Sequence, residues 1–163
     1  MSHFDVIVVG AGHAGLEASL ASARMGLRVA LVTSNLSRIG YMSCNPSIGG
    51  LAKGHMVREV DALGGEMGLA ADATCIQFKR LNSRKGPAVR GSRAQCDKDL
   101  YVDYMTAKVR TTPGLEIVGS EAKSLILEGG RCVGVTLEDG SAIHARAVVL
   151  TTGTFMRGVM HIG

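Results

Sequence analysis

The chain has 163 residues, about one ordinary domain. Apolar residues make up 46% and charged residues 20%, a globular profile that excludes a disordered tail and a coiled coil. Glycine contributes 22 residues and proline 3, with no Gly-X-Y period, which excludes collagen-like and low-complexity chains.

The net charge is +4, from 18 basic and 14 acidic residues. Between Ala73 and Cys96 stand Lys79, Arg80, Arg84, Lys85, Arg90 and Arg93, with no acidic residue among them. The positive balance therefore resides in one segment. Four cysteines (Cys44, Cys75, Cys96, Cys132) form no C-x-x-C pair, so neither a zinc ribbon nor a thioredoxin-type dithiol is encoded. Asp5 and Gly10 interrupt the first apolar run, as no signal peptide would. No stretch approaches the roughly 20 apolar residues of a membrane span. A reduced, cytoplasmic setting without membrane contact is expected.

Phe4 to Val9 is β-branched and nearly all apolar, the pattern of a strand buried on both faces. Gly10-Ala11-Gly12-His13-Ala14-Gly15 follows directly. Ala14 to Met25 reads as a helix, with Gly26 at the C-terminal cap position. Leu27 to Thr33 is a second strand, completing a βαβ unit. Ser34 to Gly54 is a polar, glycine-rich connection. His55 to Leu63 reads as a helix with Val57, Val60 and Leu63 on one side, ended by Gly64-Gly65. The basic segment follows as an irregular stretch broken by Gly86-Pro87. Asp97 to Arg110 reads as a long helix stopped by Pro113-Gly114. Short strands are then expected at Leu115–Val118, Lys123–Leu127, Val133–Leu137 and Ile143–His144, with Gly129-Gly130 and Asp139-Gly140 as hairpin punctuation. A last strand, Ala147–Leu150, runs into Thr151-Thr152-Gly153.

Gly10-x-Gly12-x-x-Gly15 lies between a strand and a helix, the context that makes this spacing a dinucleotide fingerprint. The first glycine permits the turn, the second the approach of a pyrophosphate, the third the packing of helix on strand. The helix N-terminus offers N–H groups to phosphate. No carboxylate follows the second strand, which ends Thr33-Ser34-Asn35. An NAD site normally grips the ribose with such an acid, so its absence counts against NAD more than against a flavin. The order of connection, basic segment, meander and final strand resembles FAD domains of the glutathione-reductase type. The expected fold is therefore α/β, a Rossmann-like parallel sheet with a small antiparallel β-meander, in a single FAD-binding domain over residues 1–163.

Cys44, beside Asn45-Pro46 and ahead of Gly49-Gly50, is on spacing alone either an inert thiol or a nucleophile whose pKa a helix end or cation lowers. Cys75, Cys96 and Cys132 read as structural. The five histidines show no ligand spacing, and no metal site is expected. The basic run suits a phosphate backbone. It suits equally a solvated loop, or arginines anchoring a cofactor pyrophosphate.

Longer motifs carry a resemblance. G-A-G-H-A-G-L-E-A (Gly10–Ala18), M-S-C-N-P-S-I-G-G-L-A-K-G-H (Met42–His55), R-E-V-D-A-L-G-G (Arg58–Gly65), L-N-S-R-K-G-P-A-V-R (Leu81–Arg90), R-A-Q (Arg93–Gln95) and L-T-T-G-T-F (Leu150–Phe155) occur in order, with H-I-G closing the chain. Together they resemble the glucose-inhibited division protein A family, FAD-dependent tRNA uridine 5-carboxymethylaminomethyl modification enzymes. The resemblance implies a bound FAD reduced by NADH. It implies transfer of a one-carbon unit from methylenetetrahydrofolate to carbon 5 of a wobble uridine, with glycine or ammonium supplying the amine. tRNA is the implied substrate, a tRNA modification GTPase the implied partner, and a homodimer the implied state. Gly10 to Gly15, Thr33, Ser34, Asn35, Asn45, Gly49, Gly50, Ala122, Thr152 and Gly153 become the expected cofactor residues. Cys44 becomes the expected catalytic thiol, beside a second cysteine further along in the family. Lys79, Arg80, Arg84, Lys85, Arg90 and Arg93 become the expected tRNA contacts. Family members are several hundred residues longer, so a chain ending here is expected to keep the adenine half of the FAD site and no activity. A small-molecule flavin oxidoreductase, or an inactive dinucleotide-binding fragment, is the alternative.

Overall fold

The computed structural model describes residues 3–43 and 45–154. Cys44, Phe155 and the H-I-G ending lie outside the described residues. The chain divides into two compact units, Met1–Ile39 with Thr112–Gly163, and Gly40–Thr111.

In the first unit, β1 (His3–Val9), α1 (His13–Arg24) and β2 (Val29–Thr33) realise the expected βαβ unit. Ile7, Val8, Val29, Ala30 and Leu31 are fully buried, as strands covered on both faces must be. Helix α1 turns Gly15, Leu16, Ser19, Leu20 and Ala23 inward. Leu16 and Leu20 are fully buried, each a gain of about 1.5–3 kcal/mol relative to exposure. Ser19 folds its hydroxyl back onto the Gly15 carbonyl at 2.7 Å and so brings no unpaired polar group inside. Gly26, at φ 82°, ends the helix in the left-handed region.

β6 (Leu115–Gly119), β7 (Ala122–Glu128), β8 (Arg131–Leu137) and β9 (Ala142–Leu150) complete a six-stranded sheet in the order β6-β2-β1-β9-β8-β7. β6, β2, β1 and β9 are mutually parallel, and β8 and β7 are antiparallel. Two expectations are corrected. The stretch at 115 belongs to the parallel sheet, beside β2, not to the meander. The two short strands expected at Ile143–His144 and Ala147–Leu150 are one, because β9 pairs with β8 through Ala142, Ile143 and His144 and with β1 from His144 to Leu150. Gly129 and Gly130, both at positive φ, form the β7–β8 turn.

The second unit holds a three-stranded antiparallel sheet, β3-β5-β4. Its strands are β3 (Ser47–Gly49), β4 (Cys75–Leu81) and β5 (Gly91–Cys96). The basic segment is thus a hairpin and not an irregular stretch. Between its strands, Asn82 (φ 54°) donates its Nδ2 to the Val89 carbonyl at 2.9 Å, and Arg90 Nε donates to the Lys85 carbonyl at 2.8 Å. Three helices complete the unit: α2 (Lys53–Ala62), α3 (Met67–Thr74) and α4 (Lys98–Thr111). The side of α2 that carries Val57 and Val60 is not fully buried: Leu63, just past its end, is 88% exposed, and α2 buries no residue. Helix α3 has no counterpart in the sequence reading. The α2–α3 link buries Glu66, which accepts from Tyr104 Oη at 2.8 Å and pairs with Lys108 Nζ at 3.1 Å, both on α4. A buried carboxylate requires such partners.

Candidate functional site

The parallel strands point their C-terminal ends at one edge, where open α/β sheets bind ligands. At that edge Gly10 leaves β1 at φ 105°, and Gly12 caps α1. No side chain caps the helix and no acid stands in its first turn. His13, Ala14 and Gly15 form that turn, so their N–H groups belong to the positive end of the helix.

The three glycines have different reasons. A Cβ on Gly10 would stand 2.5 Å from the Thr151 carbonyl oxygen. A Cβ on Gly15 would collide with the Gly10 carbonyl and lie 2.6 Å from Thr151 Oγ1. These two serve packing. A Cβ on Gly12 meets nothing within 4 Å, and its backbone is extended. Nothing in the fold demands glycine there, so the residue keeps space open at the helix N-terminus. This cradle fits the pyrophosphate of a dinucleotide.

Thr33 ends β2 opposite Gly119, the last residue of β6, and Ala122 begins β7 just beyond. Thr33, Ser34, Asn35 and Ala122 therefore stand at the same edge as the glycine turn. Asn35 Oδ1 accepts from Ser37 N at 2.9 Å and from Ser37 Oγ at 2.7 Å, fixing the short turn Leu36–Arg38. Thr33, Ser34 and Asn35 offer hydroxyl and amide groups to a ribose, and none of the three is a carboxylate. Thr152 and Gly153 (φ 59°) follow β9 there as well. Sequence reasoning overlooked Thr151. Its amide N–H and its hydroxyl both donate to the Val9 carbonyl at 2.9 Å, and the hydroxyl reaches the Gly10 carbonyl at 3.1 Å. A polar residue closing an apolar strand is a weak signal; the pairing forms only once β9 lies beside β1.

Asn45, Gly49, Gly50 and the basic residues belong to the second unit. Asn45 Oδ1 accepts from Gln95 Nε2 at 3.2 Å. Gly49 has a reason within this unit, because a Cβ would strike the Ser92 carbonyl. Gly50 donates its N–H to that same oxygen at 2.8 Å. Lys79 and Arg80 lie on β4, Arg84 and Lys85 in the turn, Arg90 at its end and Arg93 on β5. Lys79 stands directly opposite Arg93 across the strands. Like charges so placed repel, a cost that an anion bound to the hairpin would relieve. Cys44, the expected catalytic thiol, lies outside the described residues.

Among the described residues no group of three or more His, Cys, Asp or Glu could hold a metal ion, and no helix is long and apolar enough to cross a membrane. A groove of about 850 Å³ in the first unit is lined by Asp5, Cys132, His144 and Arg146, at the N-terminal ends of the strands. It is remote from the glycine turn.

A solved structure of GidA from Aquifex aeolicus superposes with a TM-score of 0.91 at 52% identity, over 94% of this chain and 26% of that one. The myxobacterial halogenase CndH, described as a variant of FAD-dependent halogenases, superposes with a TM-score of 0.67 at 21% identity, over 96% of this chain and 39% of that one, and shares the fold. The tRNA uridine 5-carboxymethylaminomethyl modification enzyme MnmG of Bdellovibrio bacteriovorus is 66% identical over 160 residues, covering 98% of this chain and 25% of its own length. The chain thus spans about a quarter of the length of the curated relatives it matches. The profile of the glucose inhibited division protein A family matches residues 5–163, and the chain belongs to that family.

Proposed function

We propose that this chain is the FAD-binding part of a tRNA-modifying flavoenzyme. In this reading the enzyme adds a carboxymethylaminomethyl group at carbon 5 of the wobble uridine, using NADH and methylenetetrahydrofolate. The observation that carries it is the open space at Gly12 on an uncapped helix N-terminus, in a chain 66% identical to a named tRNA-modifying enzyme. The two units act as parts of one FAD-binding domain. The working enzyme is a cytoplasmic homodimer with a tRNA modification GTPase as partner.

When bound, FAD supplies two-electron transfer. The first helical turn holds its pyrophosphate through the N–H groups of His13, Ala14 and Gly15. Thr33, Ser34 and Asn35 offer hydrogen bonds to the ribose, and the main chain at Ala122 offers them to the adenine. Thr152 and Gly153 pass close to the cofactor. Asn45, next to Cys44 in the sequence, and Gly49 and Gly50, at the end of β3, are further cofactor contacts in this reading.

Carbon 5 of uracil is a poor nucleophile until a group adds at carbon 6. Cys44 suits that addition as a thiolate. The bond from sulfur to carbon 6 makes carbon 5 enolate-like; after substitution, loss of the carbon 5 proton to a base expels the thiolate and restores the ring. The basic hairpin holds tRNA phosphates, each neutralised charge releasing a counterion.

A visible spectrum of the purified chain, with a tRNA gel shift beside it, tests the reading. A yellow protein that shifts tRNA supports it. Flavin without tRNA affinity returns the chain to a small-molecule flavin oxidoreductase. A folded chain with neither is a bare dinucleotide-binding fragment.

A further inference from the structure

Cys75 and Cys96 are far apart in the sequence, and the fold makes them neighbours. They form the first register pair of the β4–β5 hairpin. Directly opposite residues of an antiparallel pair have Cα atoms about 4.5–5.5 Å apart and side chains on one face. A disulfide spans Cα separations of about 4.4–6.8 Å, a range that covers such pairs; the ladder is irregular between Cys75 and Gln77, next to this pair. Both residues are free thiols in this structure.

The two are not equivalent. Cys75 caps the C-terminus of α3 and is half-buried. Cys96 is 1% exposed, with Sγ 3.8 Å from the Ala71 carbonyl oxygen and 3.9 Å from that of Ala94. Burial pushes its thiol above the ordinary range, and the neighbouring Cys75 adds to this. A small oxidant therefore meets Cys75 first. Lys79, Arg80, Arg84, Lys85, Arg90 and Arg93 all lie between the two cysteines, so a bond between them closes the base of the basic hairpin.

We propose that Cys75 and Cys96 form a reversible cross-strand disulfide that clamps the basic hairpin, made by exchange with a low-molecular-weight disulfide. The Cys75 thiol loses its proton, and its thiolate attacks one sulfur of the small disulfide. That bond breaks and one thiolate leaves, taking up a proton. Cys96, deprotonated in turn, attacks the Cys75 sulfur of the mixed disulfide and displaces the second small thiolate, which is protonated. Two protein thiols are oxidised to one disulfide, and one small disulfide is reduced to two thiols. Excess thiol reverses the steps, as a reducing compartment would.

The test treats the reduced 163-residue chain with oxidised glutathione and maps its peptides without reduction. The expected result is a Cys75–Cys96 cross-linked peptide and the disappearance of two titratable thiols. Limited trypsin, cutting after Arg84 or Lys85, should then leave one band that separates only on reduction. The oxidised chain should also melt at a higher temperature than the reduced one. In Cys96→Ser the reaction should stop at a glutathione adduct on Cys75. In Cys75→Ser, Cys96 should stay unmodified over the same exposure. Stable glutathione on Cys75 of the unsubstituted chain, a bond that instead takes Cys44 or Cys132, or an unchanged melting temperature would overturn the proposal. The mapping of the unsubstituted chain decides even if a variant fails to fold.

Discussion

Thr151 and Gly10, 141 residues apart, are held together by the Thr151 hydroxyl reaching the Gly10 carbonyl at 3.1 Å. The same hydroxyl lies where a Cβ on Gly15 would intrude. The last strand thus fixes the shape of the first turn, and the glycine turn is a joint product of β1 and the end of β9.

Two glycine variants should therefore part company. Gly15→Ala places a methyl group against backbone that cannot yield, and should lower the thermal midpoint with a cost of overpacking of about 1–3 kcal/mol. Gly12→Val fills open space, so it should leave the stability within about 1 kcal/mol of the unsubstituted chain and abolish flavin binding. Differential scanning fluorimetry with a flavin absorbance spectrum checks both. A yellow Gly12→Val protein would remove the cofactor assignment.

Lys79 faces Arg93 across the hairpin. Lys79→Glu replaces a repulsive cross-strand pair by an attractive one and should raise stability by about 0.2–1 kcal/mol. If the hairpin binds tRNA, the same change should weaken binding. Adding Arg84→Glu and Lys85→Glu should lower the slope of log affinity against log salt by roughly 0.9 for each phosphate that is no longer neutralised. Unchanged affinity at two salt concentrations would make the segment a solvated hairpin. Absence of flavin instead would move these residues to the cofactor.

Burial and the adjacent Glu66 carboxylate hold the Tyr104 phenol above its ordinary value. The folded chain therefore keeps a proton that the unfolded chain loses. The resulting stability is fully present below about pH 10, the unperturbed tyrosine value, and is lost as pH rises through the raised folded value. Tyr104→Phe should cost about 1–3 kcal/mol near neutral pH and make the decline above about pH 10 shallower. Urea unfolding at both pH values measures it; parallel curves for the two proteins would refute the coupling.

Cys44→Ser changes one atom. In the full-length enzyme it should leave FAD and tRNA binding nearly intact and remove uridine modification, because a hydroxyl is barely ionised where a thiol with a depressed pKa is. Nucleoside analysis of the modified tRNA is the measurement. Modification at the unsubstituted rate would leave Cys44 a structural thiol.

The succession of elements around the glycine turn is local, and local information sufficed for it. An apolar run, three glycines at fixed spacing and a second β-branched run mark out strand, turn, helix and strand in order. The helix α4 is local too, begun beside Asp97, whose Oδ1 accepts from the Asp99 and Leu100 amides at 3.0 Å, and followed by Pro113-Gly114. The tertiary structure decided the rest. Cys75–Leu81 is a strand although Ile76 and Phe78 are 68% and 66% exposed, because β5 supplies its hydrogen bonds. β9 is one strand because β1 and β8 pair with it at the same time, which carries it past Ala145 and Arg146. Thr151 at the glycine turn and Cys75 opposite Cys96 follow from those pairings. Helical and turn signals lie within a few residues of one another, whereas strand partnership depends on hydrogen bonds to residues that only the folded chain brings near.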